Sequence, residues 1–325
     1  MAGTTLTTTG SSTAGPQSTL QDYFNKKLLE QTLKTIVLDQ FAYKAPLPGK
    51  AGHKAVRFFR YPEPITTDVA SLTEGTAIGT GASKQLSMQT VDVSLTQYGQ
   101  IVTISDLLSA VELFNTMEQA TVQNGQDAAL KVDELLRDIL GDSTAIQLRY
   151  AGAATNYATV GGTDDAMTAL DILDASTNLR VNNARPSGGY FTAIMAPEVA
   201  RDLMNDDDWL EASKYGSPDQ LFKGEVGRYM GVRVVATTNP YRQNTQHTYA
   251  AAGTRYSTFV VGDQSYGGVN LATMSAYSPK MIISQGPDKS DPLAQLTTIG
   301  FKFYYGGAII NANHAVNIYS VTNYS

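Results

Sequence analysis

Two strand-like runs joined by a polar, glycine-rich segment constrain the fold of this chain more than any other feature. In residues 54–60, Val56 and Phe58 fall on one face and Arg57 on the other, and apolar and polar side chains alternate in residues 86–95. A period of two is typical of strands with one exposed face. The phase of the return run slips at Thr90 and Val91, which predicts a β-bulge. The connecting residues 71–81 are too polar to pack a core of their own.

This two-stranded ribbon needs a surface to cover it. An isolated hairpin is marginally stable in water, and a third strand or a covering helix normally stabilises it. The sequence therefore predicts that a second copy of the chain covers the ribbon. For Arg57 and Arg60, exposure to solvent and charge pairing between subunits both remain open.

The composition is that of a folded globular protein and excludes several classes of function. The chain has 325 residues, of which 42% are hydrophobic and 17% are charged, and its formal net charge is -6. This acidic balance argues against a dedicated DNA reader. The absence of cysteine excludes disulfides, thiolate metal sites and cysteine nucleophiles. Neither a signal peptide nor a membrane-spanning run is present, so we expect synthesis in the cytoplasm.

The N-terminal region combines a polar arm with a helix. Residues 1–19 are rich in Thr, Ser and Gly, and a capping box begins at Ser18. Phe24 and Leu28 belong to one of two apolar stripes, which indicates burial against more than one surface. The helix is expected to end before Pro46.

The longest predicted helix follows a strand that ends near Ile104. Ser105 is its expected N-cap, and Gly141 is expected to end it in a left-handed conformation. About 35 residues would make a rod of roughly 50 Å. Gly125 predicts a kink or a close packing contact. The apolar positions that keep near-helical spacing are Leu108, Val111, Phe114, Val122, Ala129, Val132, Leu136 and Ile139.

From Thr163 onward, helices and strands alternate. A helix is predicted from Thr163 to about Val181, and Pro197 is placed at the first position of another helix. The glycine pair Gly306-Gly307 predicts a hairpin turn near the C-terminus. Strands are predicted at 190–196, 232–236, 258–261, 281–284, 296–305 and 308–321.

The sequence contains no strong catalytic or metal-binding pattern. The three histidines lack a metal-ligand spacing. Residues 79–84 resemble a phosphate loop only loosely and are better interpreted as the ribbon tip. The acidic run 205–208 could hold calcium, although a solvated surface is favoured. We therefore predict no catalytic residue, no cofactor and no metal.

Three short motifs, by their order and spacing along the chain, resemble the major capsid proteins of tailed phages. They are Leu72-Thr-Glu-Gly75, Gln97-Tyr-Gly99 and Ile104-Ser-Asp-Leu-Leu108. The match is to the N-four-like branch of the Hong Kong ninety-seven-type fold, and it covers essentially the whole chain.

This resemblance implies an α+β capsid fold with named parts. In such capsids the arm and the extended loop reach over neighbouring subunits. The implied parts are the N-arm with its helix (1–52), the extended β-hairpin loop (53–97), the peripheral domain (98–163) with a spine helix at about 105–140, the axial domain (164–285), and C-terminal strands (286–325) that return to the peripheral domain.

The implied function is a shell subunit that assembles as pentamers and hexamers into the head of a tailed phage. The implied partners are other copies, portal and scaffolding proteins, a decoration protein, and packaged double-stranded DNA held without sequence specificity. Two alternatives remain: an encapsulin-like compartment shell, and a hydrolase that uses Asp164, Asp165 or the acidic run at 206–208. The predicted inter-subunit contacts are Leu72, Thr73, Glu74, Gly75, Arg57, Arg60, Phe24 and Leu28.

Overall fold

The chain folds into a mixed helix and sheet structure, as the sequence predicts. No helix in the part that the structure describes is long and apolar enough to cross a membrane. The computed structural model describes residues 36–47, 55–61, 74–75, 87–111, 116–161, 163–214, 227–242, 255–271, 280–284, 291–293 and 295–324.

The helices and strands of these ranges are numbered in chain order. The α-helices are α1 (Asp106–Val111), α2 (Thr116–Gly141), α3 (Ala169–Val181), α4 (Pro197–Met204) and α5 (Asp207–Lys214). The strands are β1 (Tyr43–Leu47), β2 (Ala55–Arg60), β3 (Gln89–Ser94), β4 (Thr96–Ser105), β5 (Gln147–Tyr150), β6 (Phe191–Met195), β7 (Arg228–Tyr229), β8 (Val232–Ala236), β9 (Tyr256–Val261), β10 (Tyr266–Leu271), β11 (Lys280–Ser284), β12 (Leu296–Ile309) and β13 (Ala315–Ser320).

The first of two compact units contains the described residues of Gln97–Val132 and Leu271–Tyr304. In this unit β12 pairs with β4 and, in antiparallel register, with β11. The first half of α2 packs on the sheet through a small core of Ile104, Ala120 and Ile299. The side chains of Ile101 on β4 and of Leu107, Leu108 and Val111 on α1 remain exposed outside this core.

The second unit holds a six-stranded sheet in the order β5-β13-β9-β6-β8-β7. The sheet is mixed, because β13 runs parallel to β5 and antiparallel to β9, while β6 runs parallel to β8. Helices α3, α4 and α5 bury their apolar stripes on one face of it, where alternate strand residues meet them. That core includes Ile172, Leu179, Phe191, Ala193, Met195, Val199, Leu203, Trp209, Val232, Val234, Val260, Val316 and Ile318.

Several local predictions are confirmed. Ser105 is the N-cap of α1, since its Oγ accepts a hydrogen bond from the Leu108 amide at 3.3 Å. Pro197 is the first residue of α4. The strand predicted at 232–236 is β8.

The predicted C-terminal hairpin at Gly306-Gly307 is wrong. Both glycines lie inside the continuous strand β12, and the chain turns only after it, through a short 3-10 helix at Ala312–His314. A Cβ on Gly306 would collide with the backbone oxygen of Ser94, and a Cβ on Gly307 would lie 2.9 Å from Ile139 Cδ1. The glycines therefore permit close packing rather than a turn.

Two further glycine and bulge predictions are also wrong. Gly141 is the last residue of α2, as predicted, but its φ is not positive; a Cβ there would lie 2.5 Å from the ring of Tyr241, so glycine admits that ring. The predicted bulge at Thr90 and Val91 is absent. The register of β2 and β3 is continuous from Ala55 opposite Ser94 onward, with Val91 opposite Phe58.

Two helix boundaries differ from prediction. The helix predicted from Thr163 begins six residues later, at Ala169, because Asp171 accepts hydrogen bonds from the backbone amide and hydroxyl of Thr168 and forms a capping box there. The chain before Pro46 forms a 3-10 helix at Leu38–Gln40, and Pro46 then lies inside β1. β1 is an edge strand, where proline is tolerated. The helix predicted from Ser18 otherwise lies outside the described residues.

Candidate assembly surfaces

The base of the ribbon is covered on one face by its own unit. Phe58 on β2 and Val93 on β3 are buried, and a Cβ on Gly267 would touch the Phe58 ring at 3.3 Å. The expectation of an uncovered ribbon is therefore wrong for this face. The other face is open, since Phe59 is 61% exposed and Tyr61 is 58% exposed. Aromatic side chains this exposed are typical of surfaces that another molecule covers.

Arg57 and Arg60 are both engaged within the ribbon. Arg57 forms a bidentate pair with Asp92 on the opposite strand, with Nε–Oδ1 at 2.5 Å and Nη2–Oδ2 at 2.8 Å. This hydrogen-bonded pair lowers the pKa of Asp92 and raises the pKa of Arg57. Arg60 donates to Oε1 of Gln89 through Nε and Nη2. These cross-strand contacts fix the register, and a role between subunits stays a prediction.

The remaining predicted contact residues are placed only in part. Glu74 and Gly75 form an exposed turn, and the φ angle of Gly75 is 77°, a left-handed value that favours glycine. The predicted contacts Leu72, Thr73, Phe24 and Leu28 lie outside the described residues.

Helix α1 presents to solvent apolar side chains at positions that keep helical spacing in the sequence. Leu107 is 71% exposed, Leu108 is 50% exposed and Val111 is 76% exposed. The neighbouring strand β4 adds Ile101, which is 70% exposed. Isolated exposed apolar residues are ordinary, but a short helix with three of them is a candidate contact surface. Sequence reasoning missed Leu107, whose adjacency to Leu108 on a short helix was the available signal.

A second apolar surface lies on the β4–β12–β11 sheet of the same unit. A cavity of about 470 Å³ opens there between Ile101, Ile282 and Phe301. The strands approach closely, because a Cβ on Gly99 would lie 2.7 Å from the Phe301 oxygen. Glycine at position 99 therefore permits the close approach of β4 and β12 beside the cavity.

In the second unit, a buried carboxylate holds the segment that leads into β1. Both carboxylate oxygens of Asp133 on α2 accept the amide of Val37, at 3.1 and 3.2 Å, and Oδ1 also accepts the amide of Leu38 at 3.0 Å. These contacts join residues that are 95 and 96 positions apart in sequence. They satisfy the orphan amides at the start of the 3-10 helix.

A second layer of buried polar contacts surrounds the same segment. The Tyr305 hydroxyl donates to Asp39 Oδ1 at 2.5 Å, and the Tyr266 hydroxyl donates to the Leu38 oxygen at 2.5 Å. Lys44 Nζ lies 3.0 Å from Asp39 Oδ2. Together these groups anchor the chain immediately before the ribbon, and sequence reasoning had no local signal for them.

Burial controls the pKa values of both carboxylates. Desolvation raises the pKa of Asp133 to about 6, although the amides of Val37 and Leu38 act in the opposite direction. Desolvation also raises the pKa of Asp39, against the opposing effects of Tyr305 and Lys44. This cluster is therefore sensitive to pH.

Two of the acidic positions considered for catalysis, Asp165 and Asp206, hold local backbone structure. Asp165 Oδ2 accepts the Gly161 amide at 2.9 Å, and Asp206 Oδ2 accepts the Ala169 amide at 2.6 Å at the start of α3. Within the described ranges, no group of three or more acidic or histidine side chains could hold a metal ion.

Comparison with known proteins identifies the fold. No family model matches the chain, and no curated protein matches its sequence. The capsid of Ralstonia phage GP4 is similar with a TM-score of 0.67 at 13% identity, over 89% of this chain and 92% of that chain. The cyanophage Pam1 capsid is similar with a TM-score of 0.66 at 14% identity, over 91% and 93%. The chain therefore has the Hong Kong ninety-seven-type fold of tailed-phage capsid proteins.

A virus-like particle from Pyrococcus furiosus is also similar. Its TM-score is 0.52 at 10% identity, over 91% of this chain and 98% of that chain. The fold is thus shared by phage heads and by another closed particle, and fold alone does not assign the contents.

Proposed function

We propose that this chain is the major capsid protein of a tailed double-stranded DNA phage. Its function is to assemble as pentamers and hexamers into the icosahedral head shell, in the virion, with no catalytic step. The observation that carries the proposal is its similarity to phage capsid subunits over about nine-tenths of both chains.

The exposed apolar surfaces support assembly as the function. Leu107 and Val111 on α1, and Phe59 and Tyr61 at the ribbon, leave apolar area in water that a neighbouring copy could cover. Many modest contacts of this kind become strong collectively in a closed shell. The proposed partners are other copies of this chain, portal and scaffolding proteins, a decoration protein, and DNA held by non-specific contact.

The domain assignment is part of this proposal. The N-arm, extended loop, peripheral domain and axial domain keep the boundaries predicted from the sequence, except where strand pairing supports a change. β11 pairs with β12, and β13 pairs with β9 and β5. We therefore assign β11 to the peripheral domain, and β5 and β13 to the axial domain.

Negative-stain electron microscopy of the expressed chain, combined with its mass in solution, tests the function. We expect closed isometric particles in the megadalton range, with the chain expressed alone or with its scaffolding protein. A chain that stays monomeric under both conditions and at every concentration would contradict the proposal.

The second candidate is an encapsulin-like compartment shell, which the similarity to the Pyrococcus particle favours. The two shells differ in content, because one packages DNA through a portal and the other encloses a cargo protein. Mass spectrometry and nuclease treatment of particles from their natural source distinguish them. Packaged DNA supports the phage head, and an enclosed protein without DNA supports the compartment.

A further inference from the structure

The edge of the six-stranded sheet ends in a tight hairpin formed by β7 and β8. Its two turn residues, Met230 and Gly231, have φ angles of 46° and 84°. Two consecutive positive φ values are those of a type I′ turn, which matches the twist of the flanking strands. Arg180 Nη2 donates to the Met230 oxygen at 3.2 Å and supports the turn.

The hairpin has one anchored face and one exposed face. On the anchored face, Tyr229 stacks on Trp209 with ring centroids 5.4 Å apart, and Val232 is buried in the core. Because side chains alternate along strands, Arg228 and Arg233 lie on the opposite face. These two arginines are direct cross-strand partners, and both are exposed.

A pair of like charges directly opposite each other destabilises a sheet edge. Within the described part of the chain, neither Arg228 nor Arg233 forms an ion pair with a carboxylate. Arg228 is instead placed over the ring of Tyr190, 4.6 Å from its centroid, which orients the guanidinium without neutralising it. An anionic partner from outside the chain would remove this repulsion.

The same unit carries a complementary surface on α5. Asp207, Asp208 and Glu211 are exposed, and none of them pairs with a described basic residue. Their helix lies on the anchored side of the hairpin, since Trp209 of α5 stacks on Tyr229. The acidic and basic surfaces therefore belong to opposite sides of one edge and do not neutralise each other within the chain.

We propose that Arg228 and Arg233 of one copy bind the acidic face of α5, formed by Asp207, Asp208 and Glu211, on a second copy. The contact joins two different surfaces and is therefore heterologous, so repeating it generates a ring when the rotation closes. This inference rests on the proposed shell function and assigns to that shell the contact that closes each capsomer.

A second copy fits this surface better than a nucleic acid does. Two arginines neutralise few phosphates, whereas nucleic-acid affinity depends on many such contacts. The chain as a whole is acidic, with a formal net charge of -6. Carboxylates of another copy match the bidentate geometry of the guanidinium group.

A charge swap tests the pairing with matched variants. The set contains the natural chain, R228E/R233E, D207R/D208R, and the quadruple variant that combines all four substitutions. Thermal unfolding of each variant checks its fold, and sizing with electron microscopy measures its assembly. We expect each double variant to form neither rings nor shells. The quadruple variant should form both again, because opposite charges then face each other with their positions exchanged.

The outcomes separate this contact from the shell function. If the natural chain forms rings but never closes shells, and the swap behaves as expected, the pairing stands and the shell function fails. The pairing is overturned if R228E/R233E assembles like the natural chain. It is also overturned if the quadruple variant does not assemble. Retained assembly with loss of bound DNA in R228E/R233E would assign the arginines to nucleic acid. A natural chain that is monomeric throughout overturns both proposals.

Discussion

Replacing Leu107 and Val111 with glutamate is expected to abolish particles while the subunit stays folded. Both side chains are more than two-thirds exposed, at 71% and 76%, so the free energy of unfolding should change by less than about 0.5 kcal/mol. In an assembled shell the same positions would place unpaired charges in a desolvated contact, which costs several kcal/mol per contact. Because the contact repeats in every subunit, the effect multiplies across the shell.

The matched control keeps the apolar character of the helix. In L107M/V111I the apolar area is retained, so particles should form as in the natural chain. Sizing and electron microscopy measure assembly, and denaturant unfolding of dissociated chains measures stability. Particles of L107E/V111E in natural yield would show that α1 is not a contact surface.

Replacing Asp133 with asparagine is expected to remove a pH dependence of stability. The pKa of Asp133 is raised to about 6 in the folded chain, from an ordinary value of 3.8. Between these values the folded state binds a proton that the unfolded state does not. The free energy of unfolding therefore rises as the pH falls through 6, and the gain is complete below 3.8.

Between about pH 7.5 and pH 5 this group should contribute an increase of about 1–2 kcal/mol. Desolvation also raises the pKa of Asp39, so this carboxylate likewise increases the free energy of unfolding as the pH falls. Denaturant unfolding of dissociated chains gives the free energy of unfolding at each pH. The measured quantity is the difference between the natural chain and D133N in the slope of that free energy against pH. The control is D138N on the same helix, whose carboxylate is exposed and pairs with Arg137 at 2.8 Å. Equal slopes in the natural chain and D133N would contradict the assignment.

Features encoded by a few adjacent residues could be predicted from the sequence. A serine before an acidic turn located the N-cap of α1, and a proline located the start of α4. The strand β8 was predicted with its observed bounds, because alternating apolar residues between turn signals depend on local pattern alone. The order of three short motifs was sufficient to indicate the fold.

Features that depend on distant contacts could not be predicted. Gly306 and Gly307 look like a turn in sequence, yet they admit Ser94 and Ile139, which are far away in the chain. Asp133 gave no signal, since its partners Val37 and Leu38 lie 96 and 95 positions earlier. Helical spacing placed Leu108 on an apolar stripe, but spacing does not reveal whether a chain covers a stripe itself or leaves it for another molecule.

One face of the ribbon base is therefore covered by the chain itself, and the other face remains exposed. Phe58 and Val93 are packed by the chain itself, whereas Phe59 and Tyr61 are not. The alternation along β2 gave the two faces correctly, but it could not tell which face meets the same chain.

Hydrogen exchange tests most directly whether sister copies cover these open surfaces. The amides of Asp106–Val111 and of residues 59–61 would be compared in assembled particles and in dissociated chains. We predict slow exchange in particles and fast exchange after dissociation at both segments, because solvent reaches them only in the free chain. Equal exchange rates in the two states, in chains that do form particles, would contradict the account.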